Sequence, residues 1–267
     1  MRYTFDHDYH IHSKLSTCSR DEAQNAERIL KYALDNGLRR ICVTDHFWDR
    51  TIPGAIDWYK PQDFEWISQI LPLPQNENVD FMFGAETEMA KDFTIGMERA
   101  TYDKLDFVIV PTTHLNNKGF GLSDEDAASV EGRAKVWLEK FNALLAKDLP
   151  FRKMGVAHLA CGLIAPGKRS DYLAVLDLLP EKELVKSFTR AAEVGIGVEL
   201  NSSDMNFKEA EAQTVLRMFE IAKKCGCKFY MGSDAHHPAD LDRAKGIFER
   251  AIDYLELKET DKFYIER

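Results

Sequence analysis

The feature that most constrains this chain is a series of short apolar segments, most of which have a histidine or an acidic residue at or shortly after their end. Between them lie longer segments in which apolar residues recur with the spacing of a helix face. This alternation of strands and helices predicts an α/β fold with a parallel sheet. Because the 267 residues are close to the roughly 250 typical of a (β/α) barrel, we expect the sheet to close. The predicted strands lie near residues 3–12, 40–44, 79–84, 107–110, 154–157, 197–200 and 228–231.

The carboxyl ends of these predicted strands carry the residues that could perform chemistry. Active sites of parallel barrels form at that end, so the side chains there should meet at one rim. They are His10, His12, His46, His114, His158 and His236, with Glu86 and Asp234 as the acids. Buried polar groups cost free energy when they lack partners. A shared metal cluster would supply partners for all of them at once.

His10 and His12 form the first of these motifs. With one residue between them on an extended strand, their side chains point to the same face. Asp8 has the same parity and is predicted to lie one layer below, where its carboxylate would orient an imidazole. A pair of this kind is more often incidental than a metal site. The interpretation therefore depends on the later strand ends.

Composition limits the class of protein. Hydrophobic residues make up 45% of the chain, which is enough for one large core, and no linker or repeat interrupts residues 1–267, so we expect a single domain. The chain has no apolar run of about 18 residues or more, and the N-terminus lacks the apolar region of a signal peptide. We expect no membrane partner and a cytoplasmic location, in which the five scattered cysteines stay reduced.

The net charge also narrows the choice of partner. A value of −9 argues against nucleic-acid binding through the surface, which needs a basic face. It leaves room for an anionic substrate, because bound cations reverse the local sign of the charge. The sequence says nothing about the oligomeric state.

Taken in order, the motifs resemble those of the PHP (polymerase and histidinol phosphatase) family, from Asp8 to about Ala251. The matching segments are His10-Ile-His12, Thr44-Asp-His46, Gly84-Ala-Glu86, His114, His158 and Gly232-Ser-Asp234-Ala-His236. The resemblance implies a distorted (β/α)7 barrel of the PHP type with a centre of two or three metal ions. This agrees with the number of strands predicted from the sequence pattern.

The resemblance also implies three sets of metal ligands. The first ion would take His10, His12, Glu86 and Asp234, and the second would share Glu86 and add His114 and His158. The third would take His46, His236 and Cys18, where the thiolate is a good zinc ligand but the residue could equally be a small buried apolar one. Zinc, manganese or iron suits ligands rich in histidine.

The chemistry expected of such a centre is phosphate-ester hydrolysis. Ions about 3.5–4 Å apart can hold a bridging hydroxide and clamp a phosphoryl oxygen. We expect Glu86 and Asp234 to be catalytic, with His237 or a bound water protonating the leaving group. Arg169 and Arg243, with Lys168, are the cations expected to bind phosphate. Trp48 belongs to an aromatic loop, with Trp58 and Tyr59, that could form a wall over the organic part of the substrate or only cap the barrel.

The leading prediction for function is a phosphomonoesterase that acts on a small phosphorylated substrate. Single-domain chains resembling this family point to L-histidinol phosphate, a step in histidine biosynthesis. Nucleotides, sugar phosphates or phosphotyrosine are alternative substrates. A metal-dependent amidohydrolase and a non-catalytic PHP module that only binds metal are the alternatives from other classes.

Overall fold

The computed structural model describes residues 1–266, and its centre is one parallel sheet. The strands are β1 (His7–Ile11), β2 (Arg40–Val43), β3 (His46–Phe47), β4 (Asp80–Thr87), β5 (Phe107–Pro111), β6 (Met154–Ala157), β7 (Gly197–Asn201) and β8 (Lys228–Gly232). Hydrogen bonding follows the order β1-β2-β4-β5-β6-β7-β8, and the short β3 pairs with β4 off this path. The predicted α/β barrel of seven main strands is confirmed.

The sheet closes where β1 meets β8. Near the carboxyl ends of the two strands, the backbone N–H of Asp234 donates to the carbonyl oxygen of His10 over 2.7 Å. Further down, the backbone N–H of Met231 donates instead to Nε2 of the buried His7 side chain, at 3.2 Å. The two edge strands are therefore joined partly through backbone and partly through an imidazole.

The helices cover the outside of the barrel. They are α1 (Ala26–Asn36), α2 (Phe64–Ile67), α3 (Arg99–Tyr102), α4 (Asp124–Ala127), α5 (Val130–Leu145), α6 (Arg169–Leu178), α7 (Glu181–Val194), α8 (Ser202–Met205), α9 (Ala212–Lys224) and α10 (Pro238–Tyr254). Within residues 1–266, no helix combines the length and the apolar character that crossing a bilayer requires.

Local capping explains where these helices begin and end. The side chain of Asn25 caps α1, which ends at Gly37 in the left-handed conformation with φ 69°, as its glycine predicted. The sequence pattern predicts one helix over about residues 127–146, and α5 covers most of this range but begins only at Val130. Ser129 adopts an extended conformation and its side chain accepts from the N–H of Gly132. This capping hydrogen bond starts a new helix and separates α4 from α5.

Two apolar clusters hold the fold together. Inside the barrel lie side chains of the strands themselves, including Tyr9, Phe107 and Tyr230, against which Phe263 packs from the C-terminal segment. A larger cluster fills the space between sheet and helices, with Trp137 of α5 fully buried in it. The packed interior supports the strand ends, where the polar side chains gather.

Gly84 in β4 provides a test of how closely the strands approach. A Cβ at this position would collide with the carbonyl oxygen of Phe107 and lie 2.8 Å from the sulfur of Cys42. We expect Gly84→Ala to lower the free energy of unfolding by about 1–3 kcal/mol, because an overpacked core must shift. Urea denaturation measures the change.

Gly246 in α10 supplies the matched control, since no atom lies within 4 Å of a Cβ added there. Gly246→Ala should leave the free energy of unfolding unchanged or raise it by up to about 1 kcal/mol, because alanine favours a helix. Equal stabilities of the two variants would contradict the close approach at Gly84.

Candidate metal centre

Glu86 lies at the middle of the rim, because β4 runs beyond its predicted end and carries this residue into the barrel mouth. Its carboxylate is buried, and the two oxygens face different histidines. Oε1 lies 3.0 Å from Nε2 of His158. Oε2 lies 2.8 Å from Nδ1 of His46 and 3.3 Å from Nε2 of His12. A carboxylate placed in this way can bridge two cations.

The structure brings most of the predicted ligands together in three groups. In each group the ligand atoms lie within 4.8 Å of one another. The groups are His10 with His12 and Asp234, Glu86 with His114 and His158, and His12 with His46 and His236. The first two correspond to the first and second predicted sets, with Oε2 of Glu86 3.6 Å from Nε2 of His10.

The third group differs from the predicted set at Cys18. This cysteine is exposed and lines the same cavity, but the three ligand atoms that lie within 4.8 Å of one another come from His12, His46 and His236. Cys18 as a ligand of a third ion stays a prediction.

The hydrogen bonds of Ser16 determine which nitrogen of His12 faces the centre. The hydroxyl of Ser16 donates to the carboxylate of Asp45 at 2.7 Å and accepts from the backbone N–H of His46 at 3.1 Å. Nδ1 of His12 lies 2.8 Å from the same oxygen. Because the single hydroxyl hydrogen is already committed, Nδ1 must donate. Nε2 therefore presents its lone pair to the other ligands.

Four more histidines are oriented in the same way, with Nδ1–H donating outward to an oxygen atom. The acceptors are Glu199 for His10 at 2.6 Å, Glu88 for His114 at 2.6 Å, Thr113 for His158 at 3.0 Å and the carbonyl of Asp234 for His236 at 2.7 Å. Metal-binding histidines are held by this kind of outer hydrogen bond. Only His46, of the six at the rim, turns Nδ1 inward.

The donor set fits a cation. Nε2 of His10 and Nε2 of His12 lie 3.1 Å apart, which opposes two lone pairs unless a proton or a metal lies between them. Oε2 of Glu86 and Nδ1 of His46 are buried and lie 2.8 Å apart, yet neither makes a hydrogen bond with the other or with any other group among residues 1–266. Such orphaned atoms are costly in a dry site, and a shared cation would satisfy them.

The electrostatics of the carboxylates agree with this fit. Burial works against the ionised forms, yet the imidazoles of His46 and His10 hold the pKa of Glu86 well below its usual value. The pKa of Asp234 is lowered in the same way against burial, by His10 first and then by His12 and His236. Two ionised carboxylates therefore stand among nitrogen donors, the ligand set that zinc, manganese and iron accept.

The prediction for Asp8 is wrong, and the reason is a bulge in β1. The register of β1 on β2 shifts between Asp8 and Ile11, so the simple alternation on which the prediction rested is broken. Asp8 accepts from the hydroxyl of Tyr32 in α1 and from the backbone of Ser233. Burial raises its pKa to about 6. The carboxylate that contacts the ring of His10 is Glu199 instead.

Sequence reasoning assigned no role to Glu199 and considered Glu88 only as the next candidate for the bridging carboxylate. Glu199 interrupts the apolar strand β7 between Val198 and Leu200, where a buried acid needs a reason. Glu88 follows Glu86 with the same parity and lies behind His114. A charged residue inside a strand of otherwise buried apolar residues was the available signal for Glu199.

A cavity of about 380 Å³ opens above the ligands. Its polar and ligand lining is Cys18, His46, Glu86, His114, Asn116, Asn117, His158, Asp234 and His236, and its apolar wall is Ile56, Trp58, Tyr59 and Leu163. Trp48, predicted to contact the substrate, lies outside this lining. It is buried against the rings of Tyr59 and Phe120, with Nε1 donating to the carbonyl of Ile52. Trp58 is the tryptophan that faces the cavity.

The predicted phosphate-binding cations also lie outside this cavity. Arg169 is committed to a two-pronged pair with Glu211, at 3.0 Å and 2.7 Å, and Lys168 is exposed at the start of α6. Arg243 pairs with Asp240 and lines a neighbouring cavity of about 590 Å³. That cavity shares Asp234 and His236 with the first one, so Arg243 borders a space that adjoins the centre.

His237 does not reach the cavity either. Its Nδ1 accepts from the backbone N–H of Ala239 and so caps α10. Its Nε2 lies 2.8 Å from the carboxylate of Asp21. With both ring nitrogens engaged at the surface, His237 is better placed to fix the start of α10 than to protonate a leaving group.

Comparison with known proteins supports the same fold. No protein-family model matches the chain. A curated "Probable phosphatase" of Caldicellulosiruptor bescii is 22% identical over 223 residues, which cover 83% of this chain and 77% of the relative.

Two solved structures resemble the whole molecule. One is the histidinol phosphate phosphatase of Lactococcus lactis complexed with zinc, L-histidinol and phosphate, with a TM-score of 0.60, 18% identity and coverage of 92% of this chain and 93% of that chain. The other is a candidate histidinol phosphatase of Listeria monocytogenes, with a TM-score of 0.61, 16% identity and coverage of 91% and 99%. The resemblance inferred from the motifs is thus confirmed for the fold: this chain is built like the PHP-type histidinol phosphatases.

Proposed function

We propose that this chain is a metal-dependent phosphomonoesterase that hydrolyses a small phosphate ester, with L-histidinol phosphate as the first substrate to test. The observation that carries the proposal is the position of Glu86, buried between histidines whose Nε2 lone pairs converge on it. A curated relative described as a phosphatase and a similar structure complexed with zinc, L-histidinol and phosphate support the same class of reaction.

The residues at the centre would have two roles: some would bind the metal ions, and others would hold those ligands in position. Bound divalent ions would make a water nucleophilic at neutral pH and neutralise charge on the phosphoryl oxygens. Glu86 would link the two ligand groups, with Asp234 and His12 on one side and His114 and His158 on the other. The outward hydrogen bonds hold these imidazoles in position before substrate arrives, which is the precondition for such a site.

The cavity lining indicates how a substrate would lie. Among the described residues that form the lining, none is a lysine or an arginine. Phosphate binding in this cavity would therefore depend on the bound metal ions. The side-chain amides of Asn116 and Asn117 can donate to phosphate oxygens. Ile56, Trp58 and Leu163 offer an apolar wall for the organic part.

This division suits a small ester with a flat or apolar organic group, such as L-histidinol phosphate. Acting on that substrate would place the chain in histidine biosynthesis in the cytoplasm. Nucleotides, sugar phosphates and phosphotyrosine are the alternative esters to include in the same assay. Hydrolysis of an amide with no hydrolysis of p-nitrophenyl phosphate would indicate a metal-dependent amidohydrolase instead. Metal binding without either activity would indicate a binding module.

We expect the purified protein to carry two or three divalent transition-metal ions per chain. The three groups of ligand atoms motivate this number. Elemental analysis counts the ions, and the same preparation is assayed with p-nitrophenyl phosphate before and after exhaustive chelation. Activity should disappear on chelation and return with zinc, manganese or iron. Full activity in the metal-free protein would rule out the proposal.

Glu86→Gln should lose most of the activity while the barrel stays folded. Neutralising the carboxylate weakens both ligand groups that it faces. Changes to groups behind the ligands typically cost about 10–100-fold in metal affinity or activity, so we expect kcat/KM to fall at least that far. The exposed Glu125 in α4 provides a control variant, Glu125→Gln. Near-normal turnover in Glu86→Gln would mean that Glu86 does not bridge.

We expect Arg243 to affect the binding of all phosphate esters and Trp58 to affect the choice among them. Arg243→Ala should raise KM several-fold for every phosphomonoester, because a guanidinium at the rim attracts phosphate whatever the organic group. Trp58→Ala should change the ranking among esters, because its ring lines the apolar wall. Arg169→Ala is the control for the first variant, since Arg169 lines neither of the two cavities that share Asp234 and His236. A Trp58 variant that scales all substrates equally would contradict this division.

A further inference from the structure

Glu199 is a fully buried carboxylate whose partners all come from the metal centre or its supporting strands. It projects from β7 into the barrel and has no exposed surface. Oε1 accepts from Nδ1–H of His10 at 2.6 Å, and Oε2 accepts from the backbone N–H of His158 at 2.6 Å. Oε2 also accepts from Nδ2 of Asn201 at 3.2 Å. A buried carboxyl group is costly unless hydrogen bonds satisfy its oxygens, and here every donor belongs to the rim or to β7.

The two oxygens act on two different ligand groups. Through Oε1, Glu199 keeps the proton of His10 on Nδ1, so that Nε2 offers its lone pair toward Asp234, 3.4 Å away. Through Oε2, it holds the backbone of His158, which has a φ of 33°. Non-glycine residues adopt positive φ only when the surroundings impose it. Nε2 of His158 then meets Glu86.

The neighbouring strand leaves room for this carboxylate. A Cβ on Gly232 of β8 would collide with Oε1 of Glu199 and lie 2.7 Å from Cβ of His10. Glycine at this position therefore allows β8 to pass directly beside the pair formed by Glu199 and His10. The carboxylate of Glu199 in β7 is thus in close contact with both β1 and β8. A side chain that only filled space would not need this arrangement.

We propose that Glu199 is a positioning residue that couples the two ligand groups on either side of Glu86, by fixing His10 of one and His158 of the other. This role rests on the proposed metal-dependent function. Glu88 makes a useful contrast, because its Oε2 supports His114 alone among the rim histidines, at 2.6 Å, and accepts also from the hydroxyl of Tyr59. Glu199 should thus affect two ions, and Glu88 one.

The test compares Glu199→Gln with Glu88→Gln. A glutamine at 199 presents one acceptor and one donor to two groups that both donate, so one hydrogen bond is lost and a donor faces a donor. Zinc-loaded full-length protein is titrated with a chromophoric chelator, and the ions released at each step are counted. We expect Glu199→Gln to release two ions at a chelator concentration roughly 10–100-fold lower than the wild type requires. Glu88→Gln should weaken one ion only.

Two further measurements separate positioning from a merely structural role. The melting temperature of each variant is measured without metal, where we expect little change relative to the change in zinc affinity. Glu199→Asp keeps the charge but is too short to reach both partners, so we expect it to weaken zinc binding less than the glutamine variant does. Loss of folding in both variants would assign Glu199 to the fold and overturn the proposal.

The outcomes also separate this proposal from the proposed function. A wild-type protein that binds neither zinc nor manganese nor iron would overturn both. Wild-type binding with unchanged zinc release in Glu199→Gln would overturn the positioning role and leave the metal-dependent function standing. Release of one weakened ion from Glu199→Gln, matching Glu88→Gln, would show that Glu199 serves a single group and would overturn the coupling.

Discussion

The arrangement of the rim depends on keeping the carboxylates of Glu86 and Asp234 ionised beside buried imidazoles. Glu86 is buried and Asp234 keeps 21% of its side-chain surface exposed, so both charges need compensating partners. They remain charged because imidazoles surround them, and the imidazoles stay in place because their outer nitrogens are tied to fixed oxygens. The charge at the centre thus depends on side chains behind the ligands, such as Ser16 and Glu199, that hold the imidazoles in place.

Much of the fold could be predicted because it follows from local patterns. Strand ends marked by histidines or acids gave the barrel and its functional face, and Gly37 marked the end of α1 as expected. The division of α4 from α5 could not be foreseen, because Ser129 is compatible with a helix interior until its side chain binds a backbone N–H. The two-residue β3, which presents His46 to Glu86, was too short to have a period of its own.

The site could be predicted as far as strand ends determine it, and less where loops or bulges intervene. His10, His46, His114 and their partners converge because parallel strands end at one edge. The role expected of Asp8 fell to Glu199, because a bulge in β1 breaks the alternation that parity arguments need. Trp48 and Arg169 lie on loops whose paths no periodicity defines. Trp48 packs in an aromatic cluster outside the cavity, and Arg169 forms an ion pair with Glu211.

The hydrogen bond made by the hydroxyl of Tyr59 limits which residues of the cavity wall can be substituted. Tyr59 and Trp58 are adjacent in the loop that walls the cavity, yet only Tyr59 is hydrogen-bonded to Glu88, the support of His114. One side of the loop is therefore anchored to the ligand groups, while Trp58 and Ile56 face the cavity without that hydrogen bond. Trp58 also packs edge-on against the ring of His46, with centroids 4.8 Å apart. Ile56 is therefore the position of this wall at which evolution or design could change specificity with the least effect on the ligands.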